Sequence, residues 1–217
     1  MDIAILLFDR FTALDAVGPY ETLSRVPEAK VTFVAAEPGL KRTDIGTLGL
    51  MADASLDDLP HPEIIVVPGG PGEVLPRAHQ PTLDWLRAAH ETSTWTTSVC
   101  TGSLILGAAG LLAGKRATSH WLALDVLPSF GAEPTGERVV IDGKVITAAG
   151  VSAGIDMALT LVGHLQGGTV AQAIQLGIEY DPHPPYDAGS PATAPAEVVE
   201  FVAAAMDAGE ARLLDGA

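Results

Sequence analysis

Basic side chains are scarce in this chain. Twelve Lys and Arg stand against 27 Asp and Glu, which leaves a formal charge of −15. So acidic a surface repels phosphate backbones, and no Lys/Arg cluster offsets it, so nucleic acid is excluded as an expected partner. Cysteine is nearly absent: Cys100 is the single one, it has no internal partner, and the fold needs no oxidising compartment. Long apolar runs are missing too. Nothing approaches the ~20 residues of a membrane span, and the first apolar run covers only residues 3–8 before Asp9 and Arg10 interrupt it. With no basic region ahead of that run, it reads as a buried strand and not a signal peptide. A protein of the cytoplasm, without a membrane partner, is expected. Metal-ligand spacing is also lacking, with no CxxC and no HExxH, and the glycines of 69–72 lack the GxGxxG order. Neither a metal nor a dinucleotide cofactor is expected.

What is present is an apolar chain, 47% hydrophobic over 217 residues, rich in Gly and Pro. That length suits one domain, 1–217, with a sizeable core. A continuous apolar run at 3–8 has strand length and the composition of a sheet covered on both faces, and 31–35, 63–67 and the largely β-branched and aromatic 94–99 read as further strands. Helical stretches fall between them: 20–26 behind Pro19 as a first-turn residue, 81–91 with Leu83, Leu86 and Trp85 inward, and 102–112 stopped by Gly114. A weakly patterned region over 37–59 suggests edge strands. Residues 138–147 read as a hairpin turned by Asp142-Gly143, followed by a long apolar helix to His164 and further helix at 170–176. Residues 180–195 are too rich in Pro and Gly for helix or central strand, and a last helix is expected over 196–213. Strands alternating with helices define an α/β chain with a mostly parallel sheet sandwiched by helices.

One stretch carries chemistry. In SVCTGS, a strand runs straight into Cys100 and then into a helix, the geometry of a nucleophile elbow. A helix N-terminus aimed at the sulfur favours a thiolate. From position alone, Cys100 is equally readable as a small buried hydrophobe. Cysteine chemistry also needs a proton carrier and donors for developing charge. Asp15, placed between the first strand and its helix, is the carboxylate best situated to reach the sulfur, although taken alone it reads as a cap or turn residue. Thr101 and the backbone of Gly69 and Gly70 follow strand ends and are candidate donors. Of the histidines, His61, His79 and His90 lie in polar surface contexts, His164 on an apolar helix face, and His183 in the Pro-rich stretch. His120, ahead of Trp121, is the one whose position approaches the site.

Taken together, LD-x-x-GP-x-E (Leu14, Asp15, Gly18, Pro19, Glu21), VPGGPG (67–72), SVCTGS (98–103), AAGLLAGKRATSHW (108–121) and AGIDMALTL (153–161) resemble the ThiJ/PfpI superfamily. The likeness extends through EYDPHPPYDAGSPATAP (179–195), and within the superfamily it is to the isocyanide hydratases. The resemblance implies a flavodoxin-like fold, a homodimer, and hydration of a small-molecule isocyanide to an N-substituted formamide. It places the nucleophile on Cys100, the acidic partner on Asp15, and the threonine after the nucleophile on Thr101. The mobile residue before the AGID helix falls on Val151. Superfamily proteases and glyoxalase-like members put His after the cysteine, and Thr101 departs from them. A redox-sensing or ligand-binding domain without turnover, and a glyoxalase-like enzyme acting on α-ketoaldehydes, are the competing expectations.

Overall fold

The apolar runs become strands and the stretches between them helices, in a computed structural model that describes residues 1–214. In chain order the elements are β1 (Asp2–Leu6), α1 (Ala13–Leu23), β2 (Lys30–Ala35), β3 (Gly39–Arg42), β4 (Gly49–Ala52), β5 (Ala54–Ser55) and β6 (Ile64–Val67). They continue with α2 (Val74–Ala78), α3 (Gln80–Thr92), β7 (Trp95–Val99), α4 (Gly102–Ala108), β8 (Arg116–Ala117), β9 (Glu133–Pro134), β10 (Val139–Asp142) and β11 (Val145–Ala148). Helices α5 (Ala153–Gln166), α6 (Gly168–Gly177) and α7 (Ala196–Leu214) close the series. Short 3₁₀ segments fill Pro71–Glu73 and Trp121–Phe130.

Seven strands form the main sheet in the order β10-β11-β7-β6-β1-β2-β5, all parallel except the β10–β11 hairpin. The fold is flavodoxin-like, with helices flanking a mostly parallel sheet. Ile3, Ile5, Ile64, Ile65, Val66 and Ile146 are fully buried, as expected of strands covered on both faces. Register aligns the strand ends: Val67 lies opposite Ser98, and Val99 opposite Ala148. Chain order reverses between β1 and β6, since β2 lies on one side of β1 and β6 on the other. In open α/β sheets the crevice beyond the strand C-termini at such a reversal is where ligands bind. Beyond the described strands, β3 and β4 pair separately as a hairpin.

Helix α1 starts at Ala13, well ahead of the expected Tyr20, so Asp15 lies in its first turn and not between strand and helix. Pro19 stands inside the helix, where a missing N–H and a clash with the carbonyl four residues back usually end it. Here the ring is seated in space left by Gly154 of α5, where an added Cβ would come within 3.2 Å of the proline ring. Packing of α1 on α5 thus outweighs the local signal.

The described residues divide into two compact units, Met1–Glu179 and a second that begins at Tyr180. The first holds the sheet and the whole buried core. In the second, the Pro-rich stretch forms turns and bends with exposed side chains before α7. Among the described residues, no helix is long and apolar enough to cross a membrane.

Candidate active site

Cys100 is 5% exposed and has φ +57°, a left-handed conformation that few non-glycine residues adopt. Such strain persists only where the surroundings fix it from several sides. The Cys100 N–H donates to the carbonyls of Ala148 and Ala149 at 3.1 and 3.0 Å, at the end of β11. Its carbonyl accepts from the hydroxyls of Ser103 (3.2 Å) and Ser119 (3.1 Å). Gly102 lets the elbow sit on β6, because a Cβ there would fall 2.1 Å from the Val67 carbonyl oxygen. The expected elbow is therefore present.

Its expected thiolate is not. Burial, and then the nearby Asp15 charge, push the Cys100 thiol well above its usual value of 9.0. The N–H groups of Thr101 and Val151 and the Thr101 hydroxyl favour the thiolate, yet they are outweighed. Helix α4 has seven residues, a short dipole set against the desolvation of a buried charge. The proton rests on sulfur.

Asp15 is fully buried. Its Oδ2 accepts from the Gly69 N–H at 2.9 Å, while Oδ1 is buried without a partner of good geometry. Burial raises its pKa from 3.8 to about 7, against the lowering pull of the Gly69 amide and then of the Cys100 thiol as donor. The two functional groups expected to meet, sulfur and carboxylate, are neighbours. One is a thiol of weak acidity, and the other a carboxylate that titrates near neutrality.

The glycine turn after β6 ties these parts together. Gly69 carries its carbonyl to the Thr12 N–H at 2.9 Å and its own N–H to Asp15. Gly70 donates its N–H to the Thr101 hydroxyl at 2.9 Å. Both amides therefore serve the protein's own side chains in this state and do not face the crevice as idle donors. A Cβ on Gly69 would meet the Thr101 nitrogen at 2.5 Å. At Gly70, with φ +129°, a Cβ would meet the Thr12 nitrogen at the same distance. Glycine is required at both positions by close approach of three loops.

Val151, whose N–H bears on the Cys100 sulfur, has φ +36°, a strained conformation for a β-branched residue. His120 is half-buried, and its Nδ1 accepts from the Leu122 N–H at 3.4 Å. Burial lowers its pKa, and the ring lies where a Cβ on Gly150 would stand 2.8 Å from it. It supports the turn leading to Val151 and makes no hydrogen bond to Cys100 or Asp15. His164, expected in the core, is exposed, with its ring 5.5 Å from that of Trp95. His90, expected at the surface, is half-buried and bonded to the Thr96 hydroxyl at 2.8 Å. Among the described residues, no three His, Cys, Asp or Glu side chains converge as metal ligands would. Sequence reasoning missed Ser103, Ser119, Thr12 and Asp44. Ser103 was legible as an elbow neighbour, whereas the others are brought in by long-range pairing alone.

The Cys–Asp elbow geometry coincides with sequence likeness. The model of the DJ-1/PfpI family matches residues 1–164. The chain is 46% identical over 200 residues to an isonitrile hydratase of Pseudomonas putida, covering 92% of this chain and 87% of that one. It is 36% identical over 127 residues to the HTH-type transcriptional regulator CdhR of Pseudomonas aeruginosa, there covering 57% of this chain and 37% of the regulator. The crystal structure of a ThiJ/PfpI family protein from Pseudomonas syringae superposes with a TM-score of 0.92 at 39% identity, over 96% of this chain and 87% of that one. With the family's fold, its strained cysteine elbow and a match over most of its length, this chain belongs to the DJ-1/PfpI family.

Proposed function

We propose that the protein hydrates isocyanides, with Cys100 as nucleophile and Asp15 as the acid/base. The observation that carries this reading is the buried Cys100–Asp15 pair, in which the neighbour of the sulfur is a carboxylate and the residue after the cysteine is Thr101 and not histidine. The 46% identity to an isonitrile hydratase supports it. A carboxylate that titrates near 7 can accept a proton and return it at neutral pH, whereas an ordinary one at 3.8 is a poor base.

The steps follow from where the protons sit. Asp15 takes the thiol proton as sulfur bonds to the terminal carbon of R–N≡C, then delivers that proton to the same carbon. The adduct is a thioimidate, R–N=CH–S–Cys100. Asp15, again a carboxylate, removes a proton from water as its oxygen attacks the carbon. Proton transfer to nitrogen and cleavage of the C–S bond release R–NH–CHO, and the sulfur recovers its proton. The balance is R–NC plus water in, formamide out, with no external redox partner. Val151 and Thr101 N–H groups, which favour negative charge on Cys100, stabilise the sulfur as it leaves. The same reading carries a homodimer working in the cytoplasm. Oxidation sensing fits less well, since a sensor needs a thiolate and this sulfur holds its proton.

The test is incubation with an aryl isocyanide and detection of the formamide by absorbance and mass. Wild type is expected to form it, while Cys100→Ala and folded Asp15→Asn are not. Undiminished product from Cys100→Ala would remove the hydratase mechanism.

A further inference from the structure

The β3–β4 hairpin brings a second carboxylate to the site that neither the cysteine elbow nor the glycine turn explains. Its tip is zipped onto the loop that leads into α1. Phe11 and Thr43 form a parallel bridge, the Asp44 N–H donates to the Phe11 carbonyl at 2.9 Å, and the Arg42 N–H donates to Asp9 Oδ1 at 2.9 Å. Thr12, at the N-cap of α1, has the residue type that normally caps a helix with its side-chain oxygen. It makes no side-chain cap here. Its hydroxyl instead donates to Asp44 Oδ2 at 3.0 Å, while Asp44 Oδ1 accepts from the Ile45 N–H at 2.8 Å. Asp44 is thus held by both oxygens, and the same Thr12 that holds it accepts from the Asp15 N–H through its carbonyl at 3.1 Å, so one residue links the two carboxylates.

We infer that Asp44 is a positioning residue of this site, clamped by Thr12 and Phe11 so that its fixed negative charge makes Asp15 a stronger base. The proposal rests on the acid/base role given to Asp15 above. Its logic is a matching of proton affinities. Sulfur buried at the elbow surrenders its proton reluctantly, so its partner must be more basic than an ordinary carboxylate. A like charge nearby disfavours ionisation of Asp15 and moves it that way. The groups that bear on Asp15 are the Gly69 amide and the Cys100 thiol, which oppose ionisation's cost, and Asp44, which adds to the effect of burial. Around Asp44, the hairpin contributes Lys41 and Arg42 and the preceding loop Asp9 and Arg10. None of the two arginines or the lysine forms an ion pair with Asp44 among the described residues. The charge is held by neutral donors and keeps its effect.

The sequence hides this residue because Asp44 lies in the weakly patterned stretch between β2 and β6, 29 positions from Asp15, in a hairpin that reads as edge decoration. The test reads the titration of Asp15 directly, without substrate, by carboxyl-carbon NMR of protein labelled at aspartate, with Asp15→Asn used to assign the signal. In Asp44→Asn the Asp15 midpoint is expected to move to lower pH, and in Asp44→Glu to return toward wild type. A purely structural role would leave the midpoint in place. Thr12→Val, which releases the clamp and keeps the charge, is expected to move it in the same direction. An unchanged midpoint in whichever of Asp44→Asn and Thr12→Val folds overturns the proposal. Since no isocyanide is used, this result stands apart from the formamide assay. If hydratase activity is present, the acid limb of kcat/KM is expected to shift to lower pH together with the NMR midpoint.

Discussion

Replacing Asp15 by Asn is expected to remove activity and stabilise the protein at neutral and alkaline pH. The carboxyl is fully buried, and its pKa rises from 3.8 to about 7 on folding. Between these values the unfolded chain has lost its proton and the folded chain retains it, so the folded state binds more protons and stability falls as pH rises. The contribution is complete below 3.8 and gone above about 7. At about 1.4 kcal/mol per pH unit over that interval, the ionised Asp15 costs roughly 4 kcal/mol. The thiol does not titrate in this window, because it is pushed above its usual range. Asn keeps an acceptor for the Gly69 N–H but buries an amide NH₂ near sulfur, a pH-independent penalty of about 1–3 kcal/mol if unpaired. The diagnostic is therefore the difference between variants as a function of pH. Urea unfolding of wild type and Asp15→Asn at pH values below 4 and above 7 is expected to show the variant gaining on wild type by about 3–4 kcal/mol from the acid to the alkaline condition. A stability difference that is the same at both ends would refute the burial argument. A stabilised, inactive variant would mark Asp15 as a group kept for chemistry against the interest of the fold.

Two further outcomes follow from the same geometry. The ultraviolet thiolate absorbance, taken as wild type minus Cys100→Ala, is expected to be absent at neutral pH and to emerge only in alkali. A thiolate signal below neutrality would contradict the protonated sulfur. Gly69→Ala would force a Cβ to within 2.5 Å of the Thr101 nitrogen and shift the turn that holds Asp15. It is expected to lower stability by about 2–4 kcal/mol with near-complete loss of formamide production, as thermal unfolding and the isocyanide assay would record, and unaltered activity would mean that the turn can move freely.

The sheet and the position of the nucleophile were legible in local pattern. Continuous apolar runs such as EIIVV and AILLF have one stable home, the interior of a two-sided sheet, and their spacing forces parallel crossovers. A cysteine between such a run and a helix can only stand at an elbow. Local signals also located Asp15, the glycine turn and the β10–β11 hairpin. They misjudged where α1 begins, because Pro19 reads locally as a first-turn residue and only its seat against Gly154 shows how it stands inside the helix. The state of the site was decided by tertiary structure alone. Helix-terminus reasoning favoured a thiolate, but the balance turns on burial and on Asp15, which lies 85 positions away. Gly69 and Gly70 looked like free donors until folding assigned their N–H groups to Asp15 and Thr101. Asp44 had no local signal. Residue type and periodicity report short-range preferences, whereas proton affinity depends on every charge and dipole that the fold gathers around one atom.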